Sequence, residues 1–159
     1  DKLLPSQYLI DVKYAGYRDW RRMITVDPGM AVELDKLVLI YQDLKLMDSD
    51  LNERELLDSL GPDEELQTTG GEIYLNTNSI PVLVTRLSQN VKSVRIYPDK
   101  QHLAYQVGNQ IKFAEIDGRG VIDIISLDSD EPVTMQFAGG GRVLLIKQKD
   151  KYFKIILKD

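Results

Sequence analysis

The sequence has no cysteine and a single histidine, His102. The first absence excludes disulfides, thiolate metal sites and cysteine nucleophiles. The second leaves no pair of imidazoles to share a metal. No apolar run approaches the roughly 18 residues that a membrane helix requires. Basic charge is also scarce: 20 Lys and Arg stand against 25 Asp and Glu, a net charge of −5. Such a chain is a poor partner for a phosphate backbone, which needs clustered cations. The one basic stretch, Lys147 to Lys158, alternates in charge and reads as the solvated face of a strand. Neither a nucleic acid nor a cofactor is expected. The opening Asp1-Lys2-Leu3-Leu4-Pro5 carries no signal-peptide pattern and reads as a cut in a longer protein or as a mature end. Hydrophobic residues at 43% and charged residues at 28% fit a globular domain, or two small ones.

Period-two alternation runs through much of the chain, so the expected fold class is all-β. Tyr8, Ile10, Val12 and Tyr14 alternate with Leu9, Asp11, Lys13 and Ala15. Arg22 to Asp27 gives a second strand, ended by the turn Asp27-Pro28-Gly29. Met30, Val32 and Leu34 alternate with Ala31, Glu33 and Asp35 as a third, and Leu37 to Tyr41 continues apolar. Residues 1–46 thus read as a three-stranded β unit. Residues 47–71 read as an acidic helical linker, with Asp50 as N-cap and Glu53 closing a capping box. Leu51, Leu56, Leu57 and Leu60 supply a partial apolar face, and Gly61-Pro62 stops the helix.

Residues 72–159 read as strands joined by tight turns. The strands are expected at 72–76, 81–86, 93–97, 103–107, 110–116, 121–126, 133–137, 142–147 and 152–158. Gly108-Asn109, Asp117 to Gly120, Gly139-Gly140-Gly141 and Lys149-Asp150 are the hairpin turns. A weak repeat of about forty residues overlies them. Tyr97 to Tyr105 aligns with Phe137 to Leu145, Pro81–Val84 with Val121–Ile124, and Ile73 with Phe113. Short strands at this period are the mark of propeller blades, which cannot bury their faces alone. Two, four and three strands are counted in succession. That is short of the roughly four blades a ring needs, so a partial or trans-completed propeller with an exposed edge is expected.

Two resemblances follow. Leu4-Pro5-Ser6-Gln7-Tyr8, Ile10-Asp11-Val12, Gly16-Tyr17-Arg18-Asp19-Trp20 and Ile24-Thr25-Val26-Asp27-Pro28-Gly29 resemble the C-terminal half of a PEGA domain. The opening strands and the Pro-Glu-Gly-Ala signature of that family are absent. Tyr97-Pro98-Asp99-Lys100 through Leu103-Ala104-Tyr105 resembles the WD40-like repeat of TolB-type propellers, with Lys100 in place of a glycine. The second copy, Phe137 to Leu145, lacks Pro-Asp. Together these resemblances imply an extracytoplasmic role at a bacterial cell surface or envelope.

No enzymatic constellation emerges. Asp48 to Glu53 has carboxylates at calcium-loop spacing, but Glu53 stands where the loop needs glycine, and Ser59 where it needs glutamate. Asp128-Ser129-Asp130-Glu131 reads as an acidic loop between blades. Gly139-Gly140-Gly141-Arg142 lacks the Lys-Ser/Thr of a phosphate loop. His102 follows a hairpin turn and reads as an exposed strand residue; there is no Gly-x-Ser-x-Gly elbow to accompany it. The candidate binding surface is Tyr17, Arg18, Trp20, Arg21 and Arg22, because aromatic and arginine side chains dominate interfaces and stack on sugars. The expected function is therefore a non-catalytic scaffold or protein-binding module of the cell surface. Its partner would be another protein or the missing part of a longer chain. The competing readings are an accessory propeller that gates a hydrolase elsewhere in the protein, and a carbohydrate or cell-wall recognition module.

Overall fold

The computed structural model describes residues 4–34, 36–61, 63–77 and 80–159. Asp1, Lys2, Leu3, Asp35 and Pro62, which entered the expectations above, lie outside the described residues. The fold is all-β with one α-helix. The chain divides into two compact units, Asp1–Asp43 and Leu44–Asp159.

The first unit holds a single hairpin. Strand β1 (Ser6–Val12) pairs antiparallel with β2 (Trp20–Val26), in register from Ser6↔Val26 to Val12↔Trp20. The alternation sets Tyr8, Ile10 and Val12 toward the less exposed face, with Ile24 and Val26 opposite. The expected third strand is not formed. Met30 to Leu34 joins no sheet, and the Met30, Val32 and Leu34 side chains are exposed. Alternation supplies two faces, but a strand also needs a neighbour to take its hydrogen bonds. Only Tyr41 makes an isolated bridge, to Tyr17. The unit's buried residues are Trp20, Val38 and Ile40.

The second unit begins well before residue 72. It opens with β3 (Met47–Asp48) and α1 (Leu51–Asp58) and continues with β4 (Leu66–Thr69). The expected linker is thus part of the folded unit. The helix start follows the sequence: Glu53 N–H donates to Asp50 Oδ1 at 3.0 Å, and Asp50 N–H donates to Glu53 Oε2 at 2.8 Å. The apolar face is narrower than expected. Leu57 is buried, whereas Leu51 and Leu56 are exposed.

All nine strands expected after residue 72 are present, each within two residues of its expected bounds. They are β5 (Glu72–Thr77), β6 (Ile80–Arg86), β7 (Val91–Ile96), β8 (His102–Val107), β9 (Gln110–Glu115), β10 (Ile122–Ser126), β11 (Thr134–Ala138), β12 (Val143–Gln148) and β13 (Lys151–Ile156). With β3 and β4 they form three antiparallel sheets, ordered β4-β5-β6, β7-β8-β9-β10 and β11-β12-β13-β3. The first two are meanders. The third takes its last strand from far upstream, through Phe153↔Asp48 and Lys154↔Met47. The edge of β13 is therefore capped from within the chain.

The first strands adjoin: β7 meets both β4 and β11. The middle sheet is covered on both faces, which is why every residue of β8 is buried. Its odd positions, Leu103, Tyr105 and Val107, join Leu66, Ile73 and Val91 in one apolar core. Its even positions serve the other face, where Gln106 accepts from Val133 N–H at 3.0 Å. This parity is the strand's period of two at work.

The forty-residue offset relates equivalent strands only in part. It carries β8 onto β12, both second strands. It also matches Ile73 on β5 with Phe113 on β9, and β6 with β10, and so slips by one strand. The slip arises because the second strands of the first two sheets start about thirty residues apart, β5 at Glu72 and β8 at His102, rather than forty. Tyr97 to Gln101 make the turn between β7 and β8, with Lys100 at φ 62°. Asp99 Oδ1 accepts from Gln101 N–H at 2.7 Å and His102 N–H at 3.1 Å.

Tyr97, His102, Phe113 and Phe137 form an aromatic cluster. The Tyr97 and Phe137 rings meet edge-on at 4.9 Å, and His102 stacks on Phe113 at 5.3 Å. Tyr97 Oη donates to Gly141 O at 3.2 Å. Gly141 has φ 91°, and a Cβ there would overlap the Tyr97 phenol; Gly140, at φ 68°, faces open space. Gly140→Ala is therefore expected to cost only the left-handed backbone, about 1 kcal/mol. Gly141→Ala adds overpacking of about 2 kcal/mol. Urea unfolding of the two variants checks this, and equal losses would count against the Tyr97 contact.

Candidate functional site

The five residues singled out in the first unit do not form one exposed patch. Trp20 is 7% exposed and belongs to the core of its unit. Its ring is not offered as a stacking platform. Tyr17 lies between Tyr14 and Tyr41, with centroids at 5.3 and 4.8 Å. Arg18 donates its backbone N–H to Ile40 O at 2.9 Å, which fixes the loop after Gly16. Arg21 lies on the exposed face of the hairpin and faces Asp11 at 3.4 Å and Asp19 at 3.6 Å. Arg22, on the other face, sits opposite Ile10 in the ladder. Tyr14, which packs on Tyr17, is an exposed aromatic.

The remaining candidates resolve into local structure. Asp50 and Glu53 cap the helix. His102 is buried, at 6% exposure, rather than exposed; its Nδ1 lies 2.7 Å from Asp99 Oδ2, and the aromatic cluster covers the ring. Phe113 and Phe137 lie too far along the chain for this burial to show in local alternation. The Asp128 to Glu131 loop joins the second sheet to the third. Lys92 binds Asp130, Lys149 meets Glu131 at 2.7 Å, and Gln148 donates to Ser129 O and Glu131 O. The three glycines form a short 3-10 turn between β11 and β12. Among the described residues no three Asp, Glu or His side chains gather as a metal site.

Two features of the second unit were not anticipated. One is a cleft of about 330 Å³ where the first strands of all three sheets come together. Leu66 and Thr68 of β4, Lys92 to Arg95 of β7, and Thr134 and Met135 of β11 line it, together with Leu60, Gly61 and Asp63. Arg95 is its organising residue. Its Nε donates to Met135 O at 2.8 Å, its Nη2 to Gly61 O at 3.1 Å, and its Nη1 lies 3.7 Å from Asp63 Oδ2. Asp63 in turn accepts from Ile96 N–H and Glu65 N–H, both at 2.9 Å. The other feature is the end of the β5–β6 hairpin. Ile80, Pro81, Val82 and Leu83 are all exposed, so this stretch is covered on neither face. The sheet it edges has three strands where its neighbours have four.

The basic stretch near the C-terminus is matched by the helix. Lys154 meets Glu53 at 3.0 Å, Lys147 meets Asp58 at 2.5 Å, and Tyr152 Oη donates to Asp58 Oδ1 at 2.9 Å. Hydrogen bonds from Lys147 and then Tyr152 hold the Asp58 carboxyl below the usual aspartate range. The Asp58 hydrogen bond holds Lys147 above the usual lysine value. No family model matches the chain, and no curated protein matches it.

The Asp58 contacts have a pH signature. A lowered carboxyl value means stabilisation that is complete above the ordinary aspartate range and is lost as pH falls through the lowered value. Asp58→Asn should lower the thermal midpoint at neutral pH, and the gap to the parent chain should close as pH falls below the ordinary aspartate range. Midpoints followed by circular dichroism across this range check it; a gap independent of pH would show that the ion pair is not the cause.

Proposed function

We propose that this chain is a non-catalytic protein-binding module that acts as a scaffold at a bacterial cell surface. The observation that carries the protein-binding part is the free end of the β5–β6 hairpin. Ile80 is 72%, Val82 50% and Leu83 44% exposed. An exposed strand edge with apolar side chains is a template for a further strand, and folded proteins normally blunt such edges with charge. Here no charged residue occurs from Ile73 to Thr85 in a chain that is 28% charged. An extended segment of another protein could add to β6 through main-chain hydrogen bonds and alternate apolar contacts. Pro81 limits the ladder at one position only.

The blade-like reading of the three sheets supports the same class. Three antiparallel sheets that adjoin through their first strands resemble consecutive propeller blades, an architecture that presents rigid edges and loops. The extracytoplasmic placement rests on the two resemblances alone. Site-specific photocrosslinking in cells of the source organism tests the proposal. A benzophenone side chain placed at Val82 should give a discrete protein adduct in the envelope fraction, and one placed at the exposed Glu55 of α1 should not. Absence of an adduct at Val82 would remove the binding reading, and an adduct confined to the cytosol would remove the surface placement.

A further inference from the structure

We propose that the cleft between the three first strands is a binding site for a small molecule carrying an oxyanion, a carboxylate or a phosphate group. Two of the first strands each line the cleft with a threonine, Thr68 from β4 and Thr134 from β11, while Ser93 of β7 gives its hydroxyl proton to Val133 O. Strand β7 adds two cations, Lys92 and Arg95, on either side of Ser93. Hydroxyl donors converging with ammonium and guanidinium groups are what an oxyanion needs, since it only accepts hydrogen bonds. Leu66, Val94 and Met135 supply apolar wall, where charge contacts are less screened than in water. The volume of about 330 Å³ suits a small ligand rather than a chain segment.

The carboxylates nearby do not close the site to an anion. The Asp63 side chain is 5% exposed, and two backbone N–H groups hold its charge. It pairs with Arg95 Nη1 at 3.7 Å, while the two hydrogen bonds of Arg95 go to the neutral carbonyls of Met135 and Gly61, which leaves further N–H groups of the guanidinium for a ligand. Lys92, 25% exposed, donates to both the carboxylate and the backbone carbonyl of Asp130, which leaves its third N–H for an incoming oxyanion beside that carboxylate, itself 73% exposed. The site is distinct from the β5–β6 hairpin, and the two proposals stand or fall separately.

The test is an amide-resolved NMR titration of the full chain with inorganic phosphate and, separately, with acetate, at constant ionic strength set by chloride. Saturable shifts centred on Thr68, Ser93 and Thr134 are expected with at least one of the two anions. The anion that saturates at the lower concentration identifies the class. Lys92→Met should weaken binding by about tenfold while leaving remote amides in place. If that variant fails to fold, Thr134→Val carries the test, with weakening of several-fold expected. No saturable shift with either anion, shifts scattered over surface lysines, or unaltered binding by the folded variants would overturn the proposal.

Discussion

Two side chains of β7 reach across to β11, the first strand of the third sheet, and to the residue just before it. Ser93 donates to Val133 O, and Arg95 donates to Met135 O. Each spans forty residues, the period of the repeat. Both strands are first strands of different sheets, so no backbone ladder joins them, and side chains must supply the link. Arg95 does most of this because its fork of donors reaches three places at once. It binds β11, the end of the helical connection at Gly61, and the charge of Asp63. Removing it would leave the buried Asp63 without its counter-ion, a loss well above that of a surface pair. Buried amides assist further along. Gln106 and Gln148 both donate to Glu131 O, which secures the loop between the second and third sheets.

From this constraint the rest of the second unit follows. Once β7 is fixed between β4 and β11, β8 is buried on both faces. One face closes the aliphatic core with the first sheet, and the other brings Phe113 and His102 against Tyr97 and Phe137. The upstream segment then closes the third sheet by adding β3 and laying α1 over it, with Lys147 and Lys154 meeting its acidic side chains. What stays uncovered is the outer side of the first sheet, where no fourth strand is present among the described residues. Ile80, Val82 and Leu83 lie exposed on that edge strand, and the proposed docking function arises from that asymmetry.

Much of this order was legible in the sequence. Alternation and turn chemistry located the nine later strands, and Asp50 with Glu53 located the helix start, because each signal lies within a few residues. Strands β3 and β4 were not legible. Met47-Asp48 is too short to show a period, and Leu66-Gln-Thr-Thr has one apolar residue; both are strands because of distant partners. The same limit misplaced His102, whose cover comes from Phe113 and Phe137, and gave Met30 to Leu34 a strand that has no neighbour among the described residues. It also hid the cleft, which exists only when three separated strands converge. Trp20 was visible as a notable residue, but its burial depends on how its unit folds around it.

The most direct measurement is native-state hydrogen exchange on the chain and on Arg95→Met. If Arg95 ties the sheets into one cooperative unit, the slowest amides of β5, β8 and β12 exchange with a common opening free energy in the parent chain. In the variant all three should lose protection together. Loss of protection confined to β11 and its neighbours, with β5 and β8 unchanged, would contradict that dependence and leave the sheets as independently stable elements.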